Sequence, residues 1–495
     1  MFKKFILCFG LTVAVTLAGA AEHPFVEDKP NIVIFSVDDM DYESLGVTGC
    51  PIPGISPHLD QLASKGILFT KAHVASPACG PSRQSMMTAK HPHVNGSLGF
   101  LPVSKEHVSL SQVLMENGYY AASFNKGRDY ESFAWDKMIA WPGQGFGRDP
   151  ELFYKGVLEQ IKVAQGQGKP VFLNVATSDP HRPFPGAPQE EEKLASLRKK
   201  YPTADFWFPE YKEPTTEAEV PIPPFLPDLP AIRTEMKEYF RAVKRADDAL
   251  GKVLQALKDG GIAENTIIIW FSDNGISMPT AKASLYVQGT RTPFIVKWPG
   301  IAVGARTDDE HFVSAMDIMP TLLEGLNIPV PAGLNGRSFY SLLQGEAQKD
   351  RDYIFTTFNF HSLGMRDYPM RAIISDDHCY IYNAFGGRAK HSECQSGRTM
   401  AAIEEAAKSD EKMAAVVKRI RFRPFEEFFD LKEDPYCQHN LLADETADKD
   451  DLTKMRGILL GEMEATKDPL LSYYQQREPG FPEAWSIRSN RKKQE

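Results

Sequence analysis

Residues 31–37 read Asn-Ile-Val-Ile-Phe-Ser-Val, and the chain turns at once into Asp38-Asp39. The run is apolar, rich in β-branched residues and without strict alternation, so it predicts a strand buried on both faces. The pattern recurs. Val171–Thr177 (VFLNVAT) ends in Ser178-Asp179-Pro180-His181, and Thr266–Phe271 (TIIIWF) ends in Ser272-Asp273-Asn274-Gly275. Phe294–Trp298 (FIVKW) is stopped by Pro299-Gly300. Between these runs lie helical patterns such as Glu235–Leu257, with apolar residues three and four apart. Strands alternating with helices predict an α/β fold: a large, mostly parallel sheet sandwiched by helices. In such sheets, ligands bind beyond the carboxyl ends of the strands. One polar strand end is usually a loop residue or a helix cap. Three, carrying Asp, Asn and His, predict a site.

The chain has 495 residues, too many for one simple core. The alternating pattern extends over 21–345, the larger α/β unit. Beyond about Gly345 it fades. Tyr353–Asn383 and then Phe425–Leu431 predict a short antiparallel sheet in a smaller C-terminal α+β domain over 346–480. The stretch Pro214–Pro230 holds six prolines and is expected to run extended over the surface. The end of the chain, 481–495, is a charged tail expected to fray. At the other end, Lys3-Lys4, the apolar run Phe5–Leu17 and the small residues Ala18-Gly19-Ala20 read as an export signal over 1–20. The run is short for a bilayer span, so the processed chain is expected outside the cytoplasm, periplasmic or secreted, and not integral to a membrane. Basic residues number 56 and acidic ones 65, a formal charge of −9, which argues against nucleic acid as a partner. An anionic substrate would need a local cluster of Lys and Arg.

Cys8 leaves with the signal. Cys50, Cys79, Cys379, Cys394 and Cys437 remain. An odd number in an exported chain points to one thiol with a separate task. The other four allow three pairings; Cys379 with Cys394 would close a short loop and is the preferred one. The separate thiol is expected at Cys79, in Cys79-Gly80-Pro81-Ser82-Arg83, just before a stretch that can open a helix. A helix N-terminus offers free N–H groups and favours anions. An isolated Cys of this kind is more often a half-cystine or a buried thiol.

The pattern Cys-x-Pro-Ser-Arg, however, resembles the signature of the type I formylglycine-dependent sulfatases of the alkaline phosphatase superfamily. The resemblance runs from about Pro30 to Leu442. It includes Asp179-Pro180-His181-Arg182, Ser272-Asp273-Asn274-Gly275-Ile276, Tyr368-Pro369-Met370-Arg371 and Phe429-Asp430-Leu431 with Asp434-Pro435 and Asn440-Leu441. Within the family, the likeness is closest to heparan N-sulfatase (sulfamidase) and related bacterial enzymes.

This resemblance implies that Cys79 is oxidised by a maturation enzyme to formylglycine (3-oxoalanine), whose hydrate attacks sulfur and then expels sulfate by collapsing to the aldehyde. It implies a metal on Asp38, Asp39, residue 79, Asp273 and Asn274. The residues agree on their own: four oxygen-bearing side chains suit a hard cation, calcium first and magnesium second. Arg83 and Lys126 correspond to cations around the nucleophile, Lys282 to one that contacts sulfate, and His181 to a group near the leaving oxygen that can act as general acid. His361 and Arg371 are expected at the rim, reading the sugar. One motif departs: Lys126-Gly127-Arg128 stands where Gly-Lys-x-His is usual. Arg stays charged and cannot serve as the base for the collapse, which leaves that base unassigned and Arg128 a substrate contact. The implied activity is hydrolysis of O-sulfate or N-sulfate from a sulfated carbohydrate. The alternatives are a phosphomonoester or phosphonate-ester hydrolase of the same superfamily, and an inactive sulfated-glycan binding protein.

Overall fold

The computed structural model describes residues 29–482, apart from 142, 303, 361–367, 388–391, 396 and the side chain of 393. The export signal, most of the charged tail and His361 lie outside the described residues. Eight strands form one sheet in the order Lys137–Ile139, Tyr120–Phe124, Val171–Ala176, Asn31–Val37, Thr266–Ser272, Phe294–Lys297, Ile67–Phe69, Arg306–Asp308. The five strands from Lys137–Ile139 to Thr266–Ser272 are mutually parallel. Phe294–Lys297 runs antiparallel to both neighbours. The sheet is therefore mostly parallel, as the sequence predicts.

Alternation within the central strand explains the two layers. Val33, Phe35 and Val37 point into one core with Phe153, Val157 and Ile161 of the helix Pro150–Gly166 and Tyr239, Val243 and Leu250 of the helix Pro230–Asp259. Ile32 and Ile34 point into a second core with Met86 and Met87 of the helix Cys79–Thr88 and Leu322 and Leu323 of the helix Ile318–Gly325. Successive strand residues face opposite sides, so a strand covered on both faces is apolar on both, apart from polar residues near its ends such as Ser36.

The strands Tyr353–Phe358, Met370–Ser375, His378–Asn383 and Glu426–Asp430 form a four-stranded antiparallel sheet. One face, with Ala372, Ile374 and Ile381, packs on Leu285 and Tyr286 of the larger unit. The other, with Ile373 and Tyr380, packs on Leu452, Met455 and Leu459.

Two sequence expectations are corrected here. Cys379 and Cys394 do not pair. Cys379 points into the core beneath its strand, in the same cluster as Cys437, whereas Cys394 packs at 3.7 Å from the Ser277 hydroxyl. Cys50, Cys79, Cys379, Cys394 and Cys437 are all free thiols. Arg371 does not reach the rim. It is fully buried, its Nη2 donates to Asp468 Oδ1 at 3.0 Å, and its Nε also donates to the Asp468 carboxylate. It ties the small sheet to the segment after the helix Lys449–Ala465.

Burial alone would push the Asp468 carboxyl up, but Arg371 and His93 outweigh it and hold it down to about 2. The pair thus stabilises the fold above the ordinary carboxylate range, by roughly 2–3 kcal/mol, and that contribution is lost as pH falls from about 4 toward 2. Arg371→Ala is expected to cost about 3–5 kcal/mol at neutral pH, because it strands a buried charge. The difference from the parent should shrink in acid. Urea unfolding at pH 7 and pH 3 checks both.

Candidate active site

Four neighbouring parallel strands, Tyr120–Phe124, Val171–Ala176, Asn31–Val37 and Thr266–Ser272, end along one edge of the sheet. The loops beyond them carry Lys126, His181, Asp38-Asp39 and Asp273-Asn274. These loops are stitched together. Asp38 N–H donates to the Asp179 carbonyl at 3.0 Å, Asn125 Nδ2 to the Ala176 carbonyl at 3.0 Å, and Met40 N–H to Ser272 Oγ at 3.0 Å. Asp39 is held in the left-handed region at φ 68°, with its N–H donating to Asp273 Oδ1 at 3.1 Å. A non-glycine residue in that region signals a constraint imposed by its surroundings. Gly275 is required by contact: a Cβ there would lie 1.9 Å from the Gln288 carbonyl oxygen.

The helix Cys79–Thr88 begins above this edge, and all ten of its residues are buried. Cys79 Sγ lies 3.9 Å from Asp39 Oδ1 and accepts from Lys282 Nζ at 3.2 Å. One turn on, Arg83 donates to Asp273 Oδ2 from Nε at 2.8 Å and pairs with it through Nη2 at 2.7 Å. It also donates to Ser36 Oγ at 2.6 Å and Tyr130 OH at 3.3 Å. Lys282 Nζ lies 2.6 Å from Asp39 Oδ1. Lys126 pairs with Asp38. His181 Nε2 lies 3.8 Å from Asp39 Oδ2. The side chains of Cys79, Arg83, Lys126, His181, Lys282, Asp38, Asp39, Asp273 and Asn274 are thereby brought together. Arg128 is exposed on the short helix Gly127–Tyr130.

Ligand atoms of Asp38, Asp39, Cys79 and Asp273 all lie within 4.8 Å of one another. Asp38 Oδ1, Asp39 Oδ2 and Asn274 Oδ1 are buried without any hydrogen-bond donor. Buried polar atoms are almost always bonded, so three orphaned oxygens at one point ask for a cation. The charge count agrees. Asp38, Asp39, Asp129 and Asp273 are four buried carboxylates, set against the three cations Arg83, Lys126 and Lys282. A buried excess of negative charge is costly, and a divalent ion reverses it to a net charge of about one positive.

Burial pushes the Cys79 thiol up, and Asp273, Asp39 and Asp129 add to this against Lys282, so the sulfur stays protonated and weakly nucleophilic. Burial would lower Arg83, but Asp273, Tyr130 and Asp129 outweigh it and keep the guanidinium charged. Burial, then Lys282 and Lys126, hold His181 well below the ordinary histidine range. Its Nδ1 lies 2.5 Å from the Arg182 carbonyl oxygen, which can only accept, so the neutral ring carries its proton on Nδ1.

Several roles escaped the sequence reading. Asp129 joins Arg83 at 3.8 Å. Asp179 is buried and accepts from Arg148 Nε at 2.9 Å and Arg245 Nε at 2.6 Å. Arg148 also donates to the His181 carbonyl at 2.9 Å, fixing the histidine loop. Asp129 had a local signal in its place three residues after Lys126, and Asp179 in its place two residues before His181.

Residues 30–328 match the sulfatase family model, and residues 280–381 match the model described as N-sulphoglucosamine sulphohydrolase, C-terminal. Human N-sulphoglucosamine sulphohydrolase is 30% identical over 371 residues, covering 69% of this chain and 71% of that protein. An ulvan-active sulfatase of Formosa agariphila is 28% identical over 427 residues, covering 84% and 77%. A solved structure in complex with its substrate D-glucosamine-2-N,6-O-disulfate superposes with a TM-score of 0.66 at 17% identity, covering 89% and 99%; at that identity it speaks for the fold alone. With a family match over more than half its length, the chain belongs to the sulfatases, which are sulfuric ester hydrolases.

Proposed function

We propose that this protein removes sulfate, as O-sulfate or N-sulfate, from a sulfated carbohydrate outside the cytoplasm. Cys79, oxidised by a formylglycine-generating maturation enzyme, is the nucleophilic position. Asp38, Asp39, Asp273, Asn274 and residue 79 hold calcium, with magnesium the second choice; the ion supplies positive charge to the nucleophile and the sulfate oxygens. The observation that carries this reading is the gathering of three orphaned oxygens and Cys79 at one buried point.

The chain's own side chains account for the rest. Arg83 fixes Asp273 and so shapes the cradle. Lys126 and Lys282 face the sulfate and neutralise its charge. His181 is the proton donor to the leaving oxygen or nitrogen. As a neutral ring with its proton on Nδ1 it cannot donate from Nε2. Burial is the larger cause that holds it neutral, and Lys282 and Lys126 are the smaller; an anionic substrate beside the two lysines offsets their share and so favours the protonated ring that an acid requires. The charge count favours sulfate over phosphate: a centre with about one net positive charge matches the single charge of a sulfate ester, whereas a phosphate monoester carries about two at neutral pH.

Peptide mass spectrometry around residue 79 is expected to find the mass loss of thiol-to-aldehyde conversion. Sulfate release should stop on chelation and return with calcium. Fully active protein with an intact Cys79 thiol contradicts the nucleophile. Faster turnover of aryl phosphate than of aryl sulfate favours the phosphatase reading. Tight glycan binding with no sulfate release favours the binding-protein reading.

A further inference from the structure

A cavity of about 320 Å³ opens beside His181, lined among others by Arg182, Phe184, Lys193, Glu235 and Arg398. Two of its three cations are already matched. Arg182 pairs with Glu235 at 2.9 Å, and Arg398 pairs with Glu238. Lys193 is different. Among the described residues no carboxylate is ion-paired with it. The acid one helical turn before it, Glu190, instead accepts the Gly186 N–H at 2.8 Å.

Aromatic rings hold the Lys193 ammonium in place. It lies 4.5 Å above the Phe146 ring and 5.6 Å from that of Phe208, and those two rings stack at 4.3 Å. Phe146 stands in the left-handed region at φ 48°, between Gly145 and Gly147. A bulky residue in that region costs of order 1–3 kcal/mol and persists where the surroundings demand it. Here the strained residue carries the ring beneath the ammonium. The Gly147 carbonyl in turn accepts from the Ser178 N–H at 2.8 Å, which couples this loop to the His181 loop. Lys193 is exposed, but the partial desolvation of its ammonium, together with Arg148 and Lys126, brings it down to about 8, so it sits in the positive field of the active site.

We propose that Lys193 binds a second anionic group of the saccharide, a sulfate or a carboxylate, on the His181 side of the scissile sulfate. The proposal rests on the sulfatase reading. It narrows the substrate class to saccharides that carry at least two negative charges.

The test uses the matured protein, Lys193→Met and Lys193→Arg. Four substrates are compared: an aryl sulfate, glucosamine N-sulfate, D-glucosamine-2-N,6-O-disulfate, and N-sulfated glucosamine joined to a uronate. Lys193→Met is expected to raise KM about tenfold for a doubly charged saccharide, with kcat little changed, the scale of one modest charge pair. Lys193→Arg should recover most of it. Loss on the disulfate alone identifies a sulfate as the second group; loss on the uronate alone identifies a carboxylate. An equal KM change on all four substrates, or none, overturns the proposal. Calorimetric binding of the disulfate to Cys79→Ala, with and without Lys193→Met, reads Lys193 without turnover. Unchanged affinity there overturns the subsite. Absent sulfate release with a tenfold affinity loss sinks hydrolysis and keeps the subsite. A protein that binds none of the saccharides overturns both.

Discussion

Cys79→Ala is expected to lower sulfate release by at least about 10⁴-fold, the scale seen when a covalent nucleophile is removed. The nucleophile acts as a unit with the groups around it, so losing it costs most of what they jointly provide. The variant should still fold. Cys79 is a small residue at the first position of a helix, and alanine suits that position. Its thiol donates no hydrogen bond closer than 3.9 Å. Saccharide binding should survive, because Arg83, Lys126 and Lys282 remain. Steady-state sulfate release, thermal unfolding and calorimetric binding separate these outcomes. Loss of binding together with turnover would mean that Cys79 supports the cradle and not the chemistry. Activity within tenfold of the parent would remove residue 79 from the mechanism.

The fold was legible because both faces of the large sheet are covered. That makes Asn31–Val37, Val171–Ala176 and Thr266–Ser272 largely apolar and without strict alternation, and such runs stand out against amphipathic helices. The site was legible where chemistry sits directly at a strand end. Asp38, Asp39, Asp273 and Asn274 follow the last residue of two adjacent strands, so strand periodicity and family likeness led to the same four residues. Lys282 and Arg83 came from the resemblance. No local pattern marks Lys282, whose Nζ meets Cys79 across 203 positions. What failed to show was any pairing between distant segments. Asp179 finds Arg148 31 residues away and Arg245 66 away. Arg371 was placed at the rim, because nothing near it announces Asp468, 97 residues on. The thiols misled for the same reason. Loop length favoured Cys379 with Cys394, but side-chain direction on the strand His378–Asn383 turned Cys379 toward Cys437. Lys193 was invisible too, since its meaning lies in the rings beneath it.

Asp38→Asn is expected to affect stability and activity in ways that a structural aspartate would not. In the presence of a chelator the variant should unfold no earlier than the parent, because it removes one of four carboxylates crowded against three cations. Asp38 Oδ1 has no donor to lose. Lys126 loses its partner, but Asp129 still draws on its charge. With calcium added, the order should reverse. A ligand that binds only the folded state stabilises it by about 2.7 kcal/mol at a hundred times its Kd. The parent should gain this in full, and the variant should need far more calcium for the same gain. Magnesium should give less, since it holds its waters tightly and is rarely caged by protein oxygens alone. Sulfate release should fall by roughly 10³-fold at fixed calcium, in keeping with the several kcal/mol that a metal ion contributes as a charge-stabilising group. Thermal unfolding of both proteins against calcium, with sulfate release measured alongside, tests each step. A variant that is weaker than the parent in chelator and gains as much from calcium would mean that Asp38 is a structural residue. The cation would then have to be held by Asp39, Asp273 and Asn274 without it.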